Sequence, residues 1–468
     1  MKKPLDLAIA DQIEALAVAI AMALVLKFFL VEAYQIPSGS MQPTILGDPG
    51  TGIFDRVLAD KLTTMIRPPR RWEVMIFRFP NDERALYVKR IVGLSGETLE
   101  VRGGDVWIDG KIARKPDPVV DSVLKELYQP GPDGIDLGTT FSAGAGVKLS
   151  GTHADFAADA SGEMKLSREV SDDFLDGYDH SWGIAANDQD GVRYAVADLE
   201  VSGDVTLAPG AQLTISIDSD EGTSKFVVFA GNGEESTHDH ASVGFTPAGK
   251  TDEIASGSKS LGDLVRKVYA GKPVHVVARD VDHELVLKVD GNELLRVEND
   301  ALGPRTARPH KASVRLGVKG GGSLADVHLR RDIFYTPPAQ GDAHWEIPQG
   351  KYFALGDNTQ GSYDSRGWKL RTYTFKPGTV HDGAGNPVMS WTGFDFDNQH
   401  APDANPQNLG GGRKAFADIH GDRVEFNDRD VVDEKRVPVP FIDSKNLLGK
   451  AVAVFWPVIH PFRWKLIR

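Results

Sequence analysis

The sequence predicts a mainly β protein: an N-terminal transmembrane helix, then an antiparallel β core that is interrupted by a β-sandwich of jelly-roll type. Three observations predict it. Short β-branched and aromatic runs recur behind turn residues along most of the chain, 49 glycines and 27 prolines supply the turns, and helical periodicity is nearly absent after the first apolar stretch. With 41% apolar and 25% charged residues among 468, the chain is a folded one, long enough for about three domains. The net charge of −13, with no Lys/Arg cluster, excludes a nucleic-acid partner. The absence of cysteine removes disulfides, thiol nucleophiles and Cys-based zinc sites.

Taken in order, residues 1–11 read as a cytoplasmic N-terminus and 12–31 as a transmembrane anchor. Ala15 to Val31 is apolar except for Lys27, at the short end of what a spanning helix needs. Lys27 lies near its end, where a long stem reaches the headgroups. Glu32-Ala33-Tyr34 makes a poor cleavage site, which favours a retained anchor over a removed signal segment; a buried core helix is the plainer reading. Lys2 and Lys3 precede the span, whereas Glu32, Asp48 and Asp55 come before the next cation, Arg56. That bias leaves the N-terminus in the cytoplasm and the rest on the outer face of the cytoplasmic membrane.

Residues 32–114 form the first part of the core. Val74 to Phe77, Leu86 to Val92 and Thr98 to Val101 read as strands, and 102–111 as a hairpin with Gly-containing turns. Residues 115–338 hold many short strands at turn-separated spacing, with Asp290-Gly291 as a two-residue hairpin turn. That pattern argues for a sandwich, and its strand order resembles lectin-like jelly rolls. Residues 339–371 return to the core, 372–436 read as a long surface insertion with a few strands, partly mobile, and 437–468 hold a last core strand and a tail.

The chemistry starts at Gln35-Ile36-Pro37-Ser38-Gly39-Ser40-Met41-Gln42-Pro43-Thr44, which offers a serine nucleophile on an extended strand just beyond the anchor. Such a serine needs a base and donors for an oxyanion. The 13 histidines fall mostly in the two insertions, and His238-Asp239-His240 reads as an exposed loop rather than a metal site. A lysine serves if its amine is neutral, which only about one in 2,500 is at pH 7 without perturbation. Lys89 has suitable surroundings. On a strand it shares a face with Tyr87 and Ile91, while Val88, Arg90 and Val92 point the other way, so a packed face would desolvate it.

Three blocks then point to a family. Ile36 to Thr44, Tyr87-Val88-Lys89-Arg90-Ile91-Val92-Gly93-Leu94, and Gly356-Asp357-Asn358 through Ser362, Asp364-Ser365-Arg366 closely resemble, in the same order, signature blocks of the bacterial type I signal peptidases, membrane-anchored proteases with a Ser-Lys dyad. Leu448 to Val452 resembles that family's last core strand. The resemblance implies Ser40 as nucleophile and Lys89 as general base, with the Ser38 hydroxyl and the Ser40 N–H as oxyanion hole. It implies that Ser362 bonds the lysine amine and that Asp364 with Arg366 braces the loop. Ile36, Pro37, Met41, Ile45, Tyr87 and Val88 would line shallow pockets for small residues of a signal peptide lying as an added strand. No metal or cofactor is implied; the partners are the signal peptides of exported preproteins, the lipid bilayer and an unknown ligand of the sandwich. The alternatives are a membrane-anchored glycan-binding or adhesive protein with the core as scaffold, and a peptidase with one dedicated substrate. Departures from the family pattern are Trp72-Glu73 ahead of the lysine block, Thr359-Gln360-Gly361 after Asn358, and the long gap before Gly356.

Overall fold

The computed structural model describes residues 5–25, 30–48, 53–80, 82–128, 136–167, 170, 194–229, 240–262, 267, 271–300, 312–338, 343–396, 404–457 and 464–468. It divides into two compact units, one of residues 1–99 with 338–468 and one of residues 100–337. The second unit thus begins at Glu100, ahead of the expected 115.

The first unit is built on an antiparallel sheet in the order Val31–Gln35, Arg56–Asp60, Leu447–Trp456, Val74–Phe79, Asp82–Gly93, Lys351–Leu355, Ile442–Asp443, with Lys465–Leu466 added to Leu447–Trp456. Its alternation is visible in Val74–Phe79. Val74 and Ile76 enter one apolar cluster with Ile36, Met41, Ile45 and Val88, while Met75, Phe77 and Phe79 enter another with Ile91, Tyr352 and Trp368. Because side chains alternate, a strand buried on both faces must be apolar throughout, which is why Val74 to Phe77 reads as an unbroken run. Strands on either side of the insertion pair directly: Ala354 lies opposite Ile91 and Leu355 opposite Arg90.

The 372–436 stretch has more order than expected. Lys369–Phe375, Ser390–Phe394 and Val431–Pro438 form one three-stranded sheet, and Gln407–Gly410, Arg413–Ala417 and Arg423–Asn427 another. Tyr373, Phe375, Val380, Phe416, Val424 and Phe426 make a core of their own. Residues 397–403, part of the Pro- and Asn-rich run, lie outside the described residues.

At the N-terminus a helix runs Leu5–Val25 and Val31 already begins a strand. Among the described residues no helix is long and apolar enough to cross a membrane. Lys27, on which the expected span partly rested, lies outside them. Asp6, Asp11 and Glu14 make the first half of this helix polar, while Ile13, Leu16, Val18, Ile20 and Met22 are exposed.

The second unit is a sandwich of an eight-stranded and a seven-stranded antiparallel sheet. Leu199–Leu207, Val274–Val281 and Gly322–Arg331 lead one sheet, Gln212–Ser219, Gly222–Phe229 and Ala312–Lys319 the other, and their inward residues share a single core. Asp290 and Gly291 take φ of 49° and 76°, as the expected hairpin turn requires. The unit's own ends close on each other: Tyr335 N–H donates to Gly104 O at 2.8 Å. Lys115, near the entry, is buried with its ammonium 2.5 Å from Asp282 and 2.8 Å from Asp332, near the exit. An insertion whose ends meet is one a host sheet can accept without parting its strands.

Candidate active site

Ser40 does not lie on the strand. The strand ends at Gln35, and 38–45 turn back on themselves, with Gln42 N–H donating to Gly39 O at 3.1 Å and Ile45 N–H to Met41 O at 2.9 Å. Gly39 and Pro43 in this run break the extended pattern. The turn carries Ser40 to Lys89 on Asp82–Gly93, with Lys89 Nζ donating to Ser40 Oγ at 2.6 Å. Both side chains are buried, at 4% exposure for Lys89 and 8% for Ser40. Lys89 Nζ also stands 5.5 Å from the ring centre of Tyr87, itself stacked on Phe79 at 4.4 Å.

Burial pushes the Lys89 amine down to about 8, and the carboxylates of Asp364 and Asp357 resist that shift without reversing it. At that value half the amines are neutral at pH 8. The dyad thus has the geometry and the proton affinity that general-base catalysis needs.

Two braces hold the site. Ahead of it, Arg90 is fully buried and donates through Nε to Asp357 Oδ1 at 2.8 Å and through Nη2 to Oδ2 at 2.7 Å. Thr44 Oγ1 also donates to Asp357, which ties the serine turn to this pair. Next door, Asn358 N–H donates to Ser40 O at 3.2 Å and Asn358 Nδ2 to Gly39 O at 3.0 Å. Behind it, Arg366 grips Asp364 through Nε at 2.8 Å and Nη2 at 2.7 Å, and Gly356 N–H donates to Asp364 Oδ2 at 3.1 Å. Gly356 has to be glycine. A Cβ there would stand 2.4 Å from Ser40 O and 2.2 Å from Ser362 Oγ.

The other expected residues divide. Ser38 is exposed with its Oγ 3.4 Å from Ser40 Oγ, and Pro37 is exposed beside it. Ile36, Met41, Ile45 and Val88 are buried together in one cluster. Tyr87 packs on the opposite cluster with Phe79 and Trp368. Ser362 Oγ is buried and makes no hydrogen bond, so the expected bond to Lys89 is not formed here. The reason is geometric: Lys89 directs its amine to Ser40, and Ser362 lies over Gly356.

Arg90, Thr44 and Asn358 were not among the expected site residues. A signal for Arg90 existed. Arg90 lies between Val88 and Val92 on one strand face, where a buried guanidinium demands an acid, and Asp357 comes two residues after the buried run Tyr352 to Leu355. In the second unit Asp105, Asp198 and Asp282 bring carboxylate oxygens within 4.8 Å of one another. The ammonium of Lys115, bonded to Asp282, already supplies a cation to this cluster. Of His238-Asp239-His240, only His240 lies among the described residues.

The family model described as signal peptidase, peptidase S26, matches residues 9–128 and 282–383, spanning both blocks that build the dyad and its braces. The chain is 30% identical over 140 residues to signal peptidase I of Leptolyngbya laminosa, covering 28% of this chain and 63% of that one. It is 42% identical over 124 residues to signal peptidase I of Pseudomonas fluorescens, covering 23% of this chain and 42% of that one. The chain thus spans less than two thirds of the length of these curated relatives. Among solved structures, a Bacillus subtilis protein of unknown function with a galectin-like fold aligns at a TM-score of 0.31 and 11% identity, covering 45% of this chain and 99% of that one; a score this low carries no argument.

Proposed function

From the premise that this chain is a relative of the bacterial type I signal peptidases, we propose that it is a serine endopeptidase that removes signal peptides from exported preproteins through a Ser40-Lys89 dyad. The observation that carries this reading is the 2.6 Å contact between a desolvated amine and a serine hydroxyl.

The chemistry follows from that contact. The neutral Lys89 amine takes the Ser40 proton as Oγ attacks the scissile carbonyl carbon, leaving an oxyanion and an ammonium. Ser40 N–H and the Ser38 hydroxyl stabilise the oxyanion, and the ammonium returns its proton to the departing amine. The acyl group then rests on Ser40 Oγ. With that oxygen in an ester, the unpaired Ser362 hydroxyl becomes the partner that orients the Lys89 amine. The amine deprotonates a water, whose attack releases the signal peptide and restores the serine.

The substrate lies extended beside the turn, with its small side chains over the floor of Ile36, Met41, Ile45 and Val88, between Pro37 and Tyr87. The exposed apolar side chains of Leu5–Val25 support insertion of this segment in the cytoplasmic membrane, with the dyad on its outer face. The test is cleavage of a preprotein with Ala at −1 and −3. Ser40→Ala is expected to abolish it while the protein stays folded by circular dichroism; retained cleavage by that variant would discard the reading.

A further inference from the structure

Apart from Asp357 and Thr44, the Arg90 guanidinium has two more acceptors, Trp72 and, 378 residues along the chain, Arg468. Nη1 donates to Trp72 O at 2.7 Å and to the main-chain oxygen of Arg468 at 2.8 Å. A guanidinium has five N–H groups. Here Nε serves Asp357, Nη2 serves Asp357 and Thr44, and Nη1 serves Trp72 and Arg468, so each has an acceptor.

We propose that residues 465–468 are a positioning latch for the nucleophile, an inference that rests on Ser40 being the nucleophile. The segment is held by its own bonds. Lys465–Leu466 pairs with Leu447–Trp456, placing Leu466 opposite Ala453, and Ile467 N–H donates to Val452 O at 2.9 Å. From there it reaches the serine turn by three routes. Ile467, only 5% exposed, joins the apolar cluster of Ile36, Met41 and Ile45, which flank Ser40. Lys465 Nζ donates to Pro43 O at 3.4 Å. Arg468 O completes the coordination of Arg90, which fixes Asp357 next to the residue that holds the Ser40 and Gly39 carbonyls.

The serine turn needs such support. Residues 38–45 belong to no strand, and their internal main-chain bonds are the two short ones already given. Without the tail, the apolar cluster of Met41 and Ile45 loses Ile467, and Arg90 loses one of its five acceptors, so both supports of the serine turn loosen. The Ser40 oxygen then loses its fixed distance from Lys89. Displacements of about 1 Å in such a dyad cost about 100-fold in rate. That loss falls on kcat, and because Ile467 shares its cluster with the substrate floor of Ile36, Met41 and Ile45, KM rises with it.

The experiment compares full-length protein with Ile467→Val, Ile467→Ala and a chain ended after Trp464, measuring preprotein cleavage against pH and amide hydrogen exchange. The expected result is a kcat drop of about 10-fold for Ile467→Ala and about 100-fold for the shortened chain, with a smaller rise in KM and Ile467→Val close to wild type. The pH at half-maximal kcat/KM stays near the wild-type value, because the tail packs on the Val88 and Arg90 face of the strand and Lys89 lies on the other. Exchange of the 39–46 amides speeds up while that of Asp82–Gly93 does not. Unchanged exchange at 39–46, or unchanged kcat in the shortened chain, overturns the latch. If the wild type cleaves nothing, the peptidase reading fails on its own and the exchange data still decide the latch.

Discussion

Two lysines of this chain are buried to nearly the same degree, and they behave in opposite ways. Lys89, in the first unit, makes no ion pair among the described residues; burial pushes its amine down to about 8. Lys115, in the sandwich, pays the same desolvation, yet Asp282 and Asp332 outweigh it and hold its charge well above the ordinary range. Burial therefore does not decide whether a lysine is a base or a strut. What decides it is whether a carboxylate is within bonding distance: Asp357 and Asp364 act on Lys89 from beyond it, their oxygens already taken by Arg90 and Arg366.

The contrast is broken most sharply by making the same substitution at both positions. Lys89→Met is expected to lower preprotein cleavage by about 1,000-fold or more, since it removes the base. Its stability should move the other way. Below pH 8 the folded chain bears a buried ammonium whose penalty is on the order of 3 kcal/mol, so urea denaturation at pH 7 should show Lys89→Met to be the more stable protein. Lys115→Met should do the reverse, costing about 3–5 kcal/mol by leaving Asp282 and Asp332 unpaired while cleavage at low temperature stays near wild type. A Lys115→Met protein as stable as wild type would show that this ion cluster is not a strut.

The pH dependence separates the two residues with a smaller effect. Lys89 has a folded value below its unfolded 10.5, so the unfolded chain binds more protons and this group favours folding increasingly as pH rises from 8 towards 10.5. Lys115 has a folded value above 10.5, so its contribution is complete at neutral pH and is lost only as pH rises through that folded value. Activity follows Lys89: kcat/KM should rise about tenfold per pH unit below 8 and level off above it, measured on the same preprotein. At the bottom of the scale, Arg413→Ala breaks a pair with Glu425 in which both side chains are well exposed. It should change stability by less than about 1 kcal/mol, the level against which the Lys115 effect is read.

The site was legible in the sequence to the extent that its parts were local. Tyr87, Lys89 and Ile91 share a strand face by simple alternation, and Asp290-Gly291 announces its turn by composition, whereas the turn around Ser40 read as extended strand. Arg90 was placed on the other face but its destination was not legible, because Asp357 comes 267 residues later and nothing short of the fold says they meet. The Ser362 bond to Lys89 failed for a similar reason, since the direction of an amine depends on which acceptor lies nearest in space. A few strands were legible in 372–436, but their common core was not, because its aromatic residues are scattered among Gly, Asn and Asp turns that dominate a local reading.

By itself the sequence determined that this is a β protein in two parts, with Lys89 on a strand face that packing would desolvate, because alternation and turn chemistry act over a few residues. The tertiary structure alone decided which buried charges are neutralised and which are left to lose a proton. Desolvation and ion pairing are sums over everything within a few ångströms, and here those neighbours come from the serine turn, the Asp357 loop and the tail at Ile467 and Arg468. The closure of the sandwich on itself, through Gly104 with Tyr335 and Lys115 with Asp332, belongs to the same class. It is a contact between distant segments, and it is what allows strands on either side of a large insertion to pair as neighbours.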